Sequence, residues 1–397
     1  MGFSQGLSGL NAAASNLDVI GNNVANQSTV GFKSGTATFA DVFASSRVGM
    51  GVQVTGVNQR FSTGSITTTS NELDMAIDGA NGFFRLIDTD GSVVYSRNGQ
   101  FYTDADNNIV NAQGQQLTGY PAGAVGADPV ALSVPTGNIA PSATTTVTVS
   151  SLNLDSDATV ITEDFDITDS STYTYTTPTT VYDSLGNTHE LRQYYAKTGE
   201  GTDTSTWSVY YVLDGDTSQI GTATLTFDSD GVLTSPTDPV ELTFDVEPAT
   251  DLAISFDYGD TTTQFAGDST LNATQDGYAT GQFSAVEVAA DGTLYATYTN
   301  GQSQAFGVVV LASFNSTQGL QPVGGNAWTE TADSGAPTLG QPGSNSLGTL
   351  VGQAVEASNV DVSEELVNMI IAQRTYQANA QTIKTQDNIL QTLVTMR

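Results

Sequence analysis

The sequence predicts an α+β fold, mainly β, with discontinuous nested β domains between N- and C-terminal helices paired in a coiled-coil-like stalk. Three observations carry this. Each end of the chain has apolar residues at three-four spacing, the middle alternates Thr with apolar residues, and an earlier β texture that stops near 143 resumes near 277.

At the C-terminal end, Leu366, Met369, Tyr376, Ala380, Ile383, Leu390 and Val394 form the stripe, interrupted by Gln373 and Asp387. Asp361 can cap the first free amides, and Glu364 and Glu365 sit where the macrodipole favours negative charge. Lys384 and Arg397 fall toward the opposite end. A helix from Asp361 to Met396 contains no Pro or Gly and would run about 50 Å at 1.5 Å per residue. That exceeds one face of an ordinary domain, so the helix needs a partner. The expected partner lies at the other end, where Leu7, Leu10, Ala14, Leu17 and Val24 repeat with Gly21 in the seam. Gly6, Gly9 and Gly21 each weaken that helix by up to about 1 kcal/mol relative to Ala. The alternative is a pair of core helices in an ordinary domain.

The stretch after Val24 is rich in helix-ending and turn-forming residues. Residues 1–30 and 358–397 are therefore expected as the helical layer, and 31–71 as an extended connector. Residues 72–143 and 277–357 form a β-rich domain whose last part, Gly335 to Gly352, reads as a linker. Within this domain Asp90-Gly91 and Asn300-Gly301 mark hairpins. The 144–276 segment holds Val147-Thr148-Val149, Leu225-Thr226-Phe227 and Ile254-Ser255-Phe256. One buried and one wet face are expected there, as in an antiparallel sandwich or barrel.

Composition excludes several classes. A formal charge of -32, from 42 acidic and 10 basic residues, argues against a nucleic-acid surface. With no cysteine there is no disulfide framework, thiolate nucleophile or sulfur-ligated zinc. Met1 to Leu10 does not resemble a cleavable secretory signal. The dense apolar run Val308 to Ala312 falls far short of the roughly 20 residues that span a bilayer.

Candidate chemistry is sparse. His189, the single histidine, has no Gly-x-Ser-x-Gly elbow or second His to complete a triad or zinc site. Asp88-Thr89-Asp90-Gly91, Asp214-Gly215-Asp216 and Asp228-Ser229-Asp230-Gly231 offer carboxylates, but hairpin turns explain them better than cation sites. Asp104 begins like an EF-hand loop, yet Ile109 stands where Gly is required and Gln115 where Glu is required. No catalytic, cofactor or metal residue is assigned, and no enzyme is expected.

Ser8-Gly9-Leu10-Asn11-Ala12, then Asn22-Asn23-Val24-Ala25-Asn26 and Thr29-Val30-Gly31-Phe32-Lys33, resemble the amino-terminal signature of the bacterial flagellar rod and hook proteins. Ser358-Asn359-Val360-Asp361 and Gln373-Arg374-Thr375-Tyr376-Gln377-Ala378-Asn379 are similar to the carboxy-terminal signature of that axial family. Asp74 to Phe84 and Tyr95-Ser96-Arg97-Asn98-Gly99 resemble its shared β domain, with Ala80 as an extra residue before Asn81-Gly82. The Thr-rich middle segment resembles the hook branch of the family, the shorter rod proteins largely lacking it.

The resemblance implies a homo-polymer: a curved hollow tube serving as universal joint from motor to filament and as an export conduit. It also implies rod proteins below, junction proteins above, a cap during assembly, and a type III export apparatus. Location would be extracellular, in the flagellum, without a cleaved signal. The stripe residues of both helices would then be assembly residues, and Phe39 and Phe43 resemble an export signal. A distal rod protein of the same family is one alternative. A secreted acidic β-rich adhesin or carbohydrate-binding protein is the alternative from another class.

Overall fold

The computed structural model describes residues 2–42, 49–259 and 261–395, with side chains through 392. Phe43, Arg397 and the Val394 side chain, singled out above, lie outside the described residues. The chain forms two compact units. One contains Met1–Thr136, Ser284–Thr297 and Ser303–Arg397; the other contains Gly137–Phe283 and Tyr298–Gln302.

In the first unit, helix α1 (Gly2–Ala25) and helix α2 (Val362–Thr395) pack together. The Asp361 carboxylate accepts from the Ser363 and Glu364 amides at 2.9 and 3.2 Å, so α2 starts at the expected cap, with Glu364 and Glu365 in its first turn. α1 ends where Asn26 folds back, its side chain donating to the Asn22 carbonyl and side-chain oxygen.

The connector expected over 31–71 is structured. Strands Gly35–Asp41 and Val52–Gln59 pair antiparallel and pack on α1, and Ile66–Thr68 pairs with Ala354–Glu356. Their exposed Thr and Asn positions hid the alternation that marks a strand. The linker expected over Gly335–Gly352 is also corrected. Thr338–Gly340 pairs with Leu311–Ser313, Thr349–Gly352 pairs with Met75–Asp78, and Leu347 and Leu350 are buried.

Among the described residues, the largest sheet of this unit has thirteen short strands. The expected turns at Asp90-Gly91 and Asn300-Gly301 are present, each glycine at positive φ. Phe83, Tyr95, Ala312, Leu320 and Trp328 form one of its cores, with Phe61 and Phe314 set edge-on against Phe83.

The second unit is two five-stranded sheets around one core that includes Trp207, Tyr195, Tyr211, Phe227 and Phe256. The expected one-sided burial is present: Thr146–Asp155 and Leu252–Asp257 alternate inward apolar with outward polar residues. The arrangement is not wholly antiparallel, however. Thr146–Asp155 pairs in parallel with Leu252–Asp257 and Thr262–Phe265, and antiparallel with Thr270–Gln275. Alternation reports which face is buried and carries nothing about strand direction.

Candidate assembly site

The helix pair is antiparallel. Gly6 of α1 faces Ile383, Gly9 faces Asn379, and the Asn23 amide donates to Glu365 at 3.0 Å. The seam is small and polar. A Cβ at Gly9 would lie 2.9 Å from both polar atoms of Asn379, and one at Gly6 would lie 3.1 Å from Ile383. Ala12, Ala13 and Ala372 are buried beside them. Two of the glycines read as weaknesses of α1 are therefore the places where the helices approach most closely.

This corrects the phase of the stripe. The three-four spacing is right, but the face against α1 carries Glu365, Ala372, Asn379 and Ile383. Leu366 is 47% exposed, Leu390 55% and Leu7 45%; Tyr376 and Gln373 are exposed too. Leu10, Leu17, Val24, Met369 and Ile383 are half-buried. Val367, Ile370 and Ile371 add to the outward apolar surface. One residue is a 100° rotation on a helix, so a spacing argument with apolar residues on adjacent rows cannot choose between them. With Gly6 opposite Ile383, the start of α1 falls opposite about residue 387, and the last turns of α2, with Ile389 and Leu390, run beyond it. Phe39, 43% exposed, lines a cleft of about 550 Å³ between the helices and the hairpin, with Ala12, Ala13, Ile371 and Ala372.

Where the chain leaves α1 and re-enters α2, polar groups tie both ends to the β strands. Asn23 is buried; its side chain exchanges two hydrogen bonds with the Gly35 backbone, at 2.8 and 2.9 Å. Asn359 accepts from the Ser34 amide at 2.8 Å and donates to the Arg60 and Ser62 carbonyls. Gly31 has φ +71 and lies against the Arg97–Asn98 backbone, where a Cβ would fall 2.6 Å from the Asn98 nitrogen, so only glycine fits. Its amide donates to the Glu356 carbonyl.

Beneath these ties sits a charged cluster. Glu356 accepts from Lys33 at 2.5 Å through one oxygen and from Arg97 at 3.3 Å through the other, and all three side chains are fully buried. The same carboxylate accepts from the Gly64 amide at 2.8 Å. Lys33 also donates to the Ser62 carbonyl, and Arg97 to the carbonyls of Gly79 and Ala80, so the extra residue Ala80 supplies an acceptor. The guanidinium lies 5.3 Å from the Phe83 ring centre. Burial pulls Lys33 and Arg97 below their ordinary pKa values, and Glu356 opposes the shift in both.

Of the motif residues singled out, Asn23, Gly31 and Asn379 sit in these contacts. Asn22 and Asn26 close the end of α1, Phe32 is half-buried, and Gln373 and Arg374 are exposed on α2. Sequence reasoning missed Glu356 and its pairing with both Lys33 and Arg97. The available signal was two lone basic residues inside motifs of a chain that has only ten. The acidic runs are turns: Asp104 and Asp228 each accept amides two and four residues on, and Asp90 and Asp216 each accept an amide two residues on. Among the described residues, no group of three or more His, Asp or Glu could hold a metal ion, and no helix is long and apolar enough to cross a membrane.

Four family models match the chain. Residues 5–33 match the flagella basal body rod protein, 76–162 the flagellar hook protein FlgE/F/G D1 domain, 153–278 the flagellar basal body protein FlaE D2 domain, and 351–396 the flagellar basal body rod FlgEFG protein C-terminal model. Helices and β units together thus define the rod and hook class of axial flagellar protein. The chain is 46% identical over 409 residues to flagellar hook protein FlgE of Salmonella typhimurium (strain LT2), covering 100% of both chains. It is 46% identical over 411 residues to that of Escherichia coli (strain K12), again covering 100% of both. Against FlgE of Borreliella burgdorferi the identity is 30%, covering 99% of this chain and 98% of the other. The crystal structure of Helicobacter pylori flagellar hook protein FlgE2 shares the fold, with a TM-score of 0.55 and 16% identity over 73% of this chain and 100% of that one. The chain belongs to the flagellar hook protein family.

Proposed function

We propose that this chain is the structural subunit of a flagellar hook, polymerising into a curved hollow tube that passes torque from rod to filament and conducts exported protein. One observation carries the proposal. The helix pair closes on itself through Gly, Ala and Asn, while Leu7, Leu366, Val367, Ile370, Ile371 and Leu390 face outward. An apolar surface of that kind on a chain otherwise rich in carboxylates suits burial against further copies. In this reading 1–30 and 358–397 form the inner layer, and 144–276 stands as a separate outer domain. Rod proteins below, junction proteins above, a cap and the type III export apparatus are its partners. The working location is outside the cell, and the role requires no reaction.

Leu366→Asp and Leu390→Asp test this. Because both positions are exposed in the single chain, each variant should keep the parent circular dichroism spectrum and melting curve. Neither should form tubes under electron microscopy, because assembly would bury a charge in an apolar contact. Normal tubes from both variants would refute the assembly role of this surface.

A further inference from the structure

We propose that Lys33, Glu356 and Arg97 form an interlock that makes docking of the N-terminal segment on the β unit conditional on docking of the C-terminal one. Lys33 lies just beyond α1, Glu356 just before α2, and Arg97 in the β unit between them. The first two are 323 positions apart and the last two 259. All three are sealed from solvent.

The charges do not balance, and that imbalance gives the device its direction. Two cations share one carboxylate, so the buried cluster carries a net charge of +1, eased by the carbonyls of Ser62, Gly79 and Ala80. Withdrawing Glu356 leaves two like charges buried side by side, whereas withdrawing Lys33 leaves a neutral pair. Loss of the C-terminal segment therefore expels the N-terminal one. The backbone transmits this, since Gly31 donates to the Glu356 carbonyl and rests on the Arg97 backbone. Any displacement of Arg97 or Glu356 moves the seat on which the end of α1 depends. The interlock belongs to the single chain and does not depend on the proposed polymer.

Hydrogen exchange on the dilute full-length chain tests it. Glu356→Gln should speed exchange of both α1 and α2 amides by about tenfold or more, leaving the Thr204–Leu213 strand of the second unit unchanged. Lys33→Met alone should change little. Added to Glu356→Gln, it should return the helices to within about threefold of the parent, because it brings the buried net charge back from +2 to +1. Additive effects of the two substitutions, or acceleration confined to residues 354–356 and 66–68, would overturn the proposal. If Glu356→Gln does not fold, recovery of folding by Lys33→Met supports the interlock, and failure of the double variant to fold overturns it.

Discussion

Gly9 and Asn379 meet where no side chain at position 9 could be added without displacing its neighbour: a Cβ there would lie 2.9 Å from both polar atoms of the asparagine. Gly21, on the same helix, has nothing within 4 Å of the equivalent position. Two glycines that look alike in the sequence therefore have opposite roles.

Gly21→Ala should raise stability by about 0.5–1 kcal/mol, the usual gain from replacing glycine inside a helix. Gly9→Leu should lower it by about 1–3 kcal/mol, because the added bulk must separate the helices. Urea melts followed at the helical circular dichroism signal distinguish the two, and equal signs would contradict a seam closed at Gly9.

Asn359→Ala removes the acceptor of the buried Ser34 amide together with donors to Arg60 and Ser62. A buried amide left without a partner costs about 1–3 kcal/mol. The expected result is a lower urea midpoint for the helical signal and no change in the tryptophan fluorescence of Trp207, which lies in the core of the other unit.

His189 lies between two carboxylates, Asp214 at 2.7 Å and Asp183 at 3.4 Å. Burial acts to lower its pKa, but the hydrogen bonds to Asp214 and Asp183 outweigh it, so the folded value is raised. The stabilisation is therefore complete below the unfolded value of about 6.5 and is lost as pH rises through the higher folded value. Unfolding of this unit should become easier from about pH 6.5 upward, and His189→Gln should flatten that slope. A slope of opposite sign, or one unaltered by the substitution, would exclude the imidazole as its source.

Copies that each carry a formal charge of -32 repel one another. Raising salt from about 0.05 M to about 0.3 M shortens the reach of that repulsion and should lower the protein concentration at which light scattering begins. An onset independent of salt would mean that the carboxylates play no part in setting it.

The α2 cap was legible because Asp361 acts on amides two and three residues away, a distance within which sequence and structure coincide. The hairpin turns at Asp90-Gly91 and Asn300-Gly301 were legible for the same reason. The phase of the helix stripe was not, because Leu366 and Ile370 are more apolar than the seam residues Glu365, Ala372 and Asn379, and only a partner surface shows which row is covered. Strand Gly35–Asp41 escaped notice because the α1 contact that orders it falls largely on small residues. The cluster at Glu356 was invisible for a different reason. Lone charges in a sequence look like solvated surface, and nothing local shows that two of them, 323 positions apart, come together.

In the second unit, the strands Thr146–Asp155 and Thr270–Gln275 lie side by side, with Val147 opposite Gln275. The segments leading to them remain paired at Ser142 with Tyr278 and at Ile139 with Gly281. The chain thus reaches and leaves this ladder at one end, and a pull applied at Gly137 and Phe283 would open it rung by rung rather than shear it all at once.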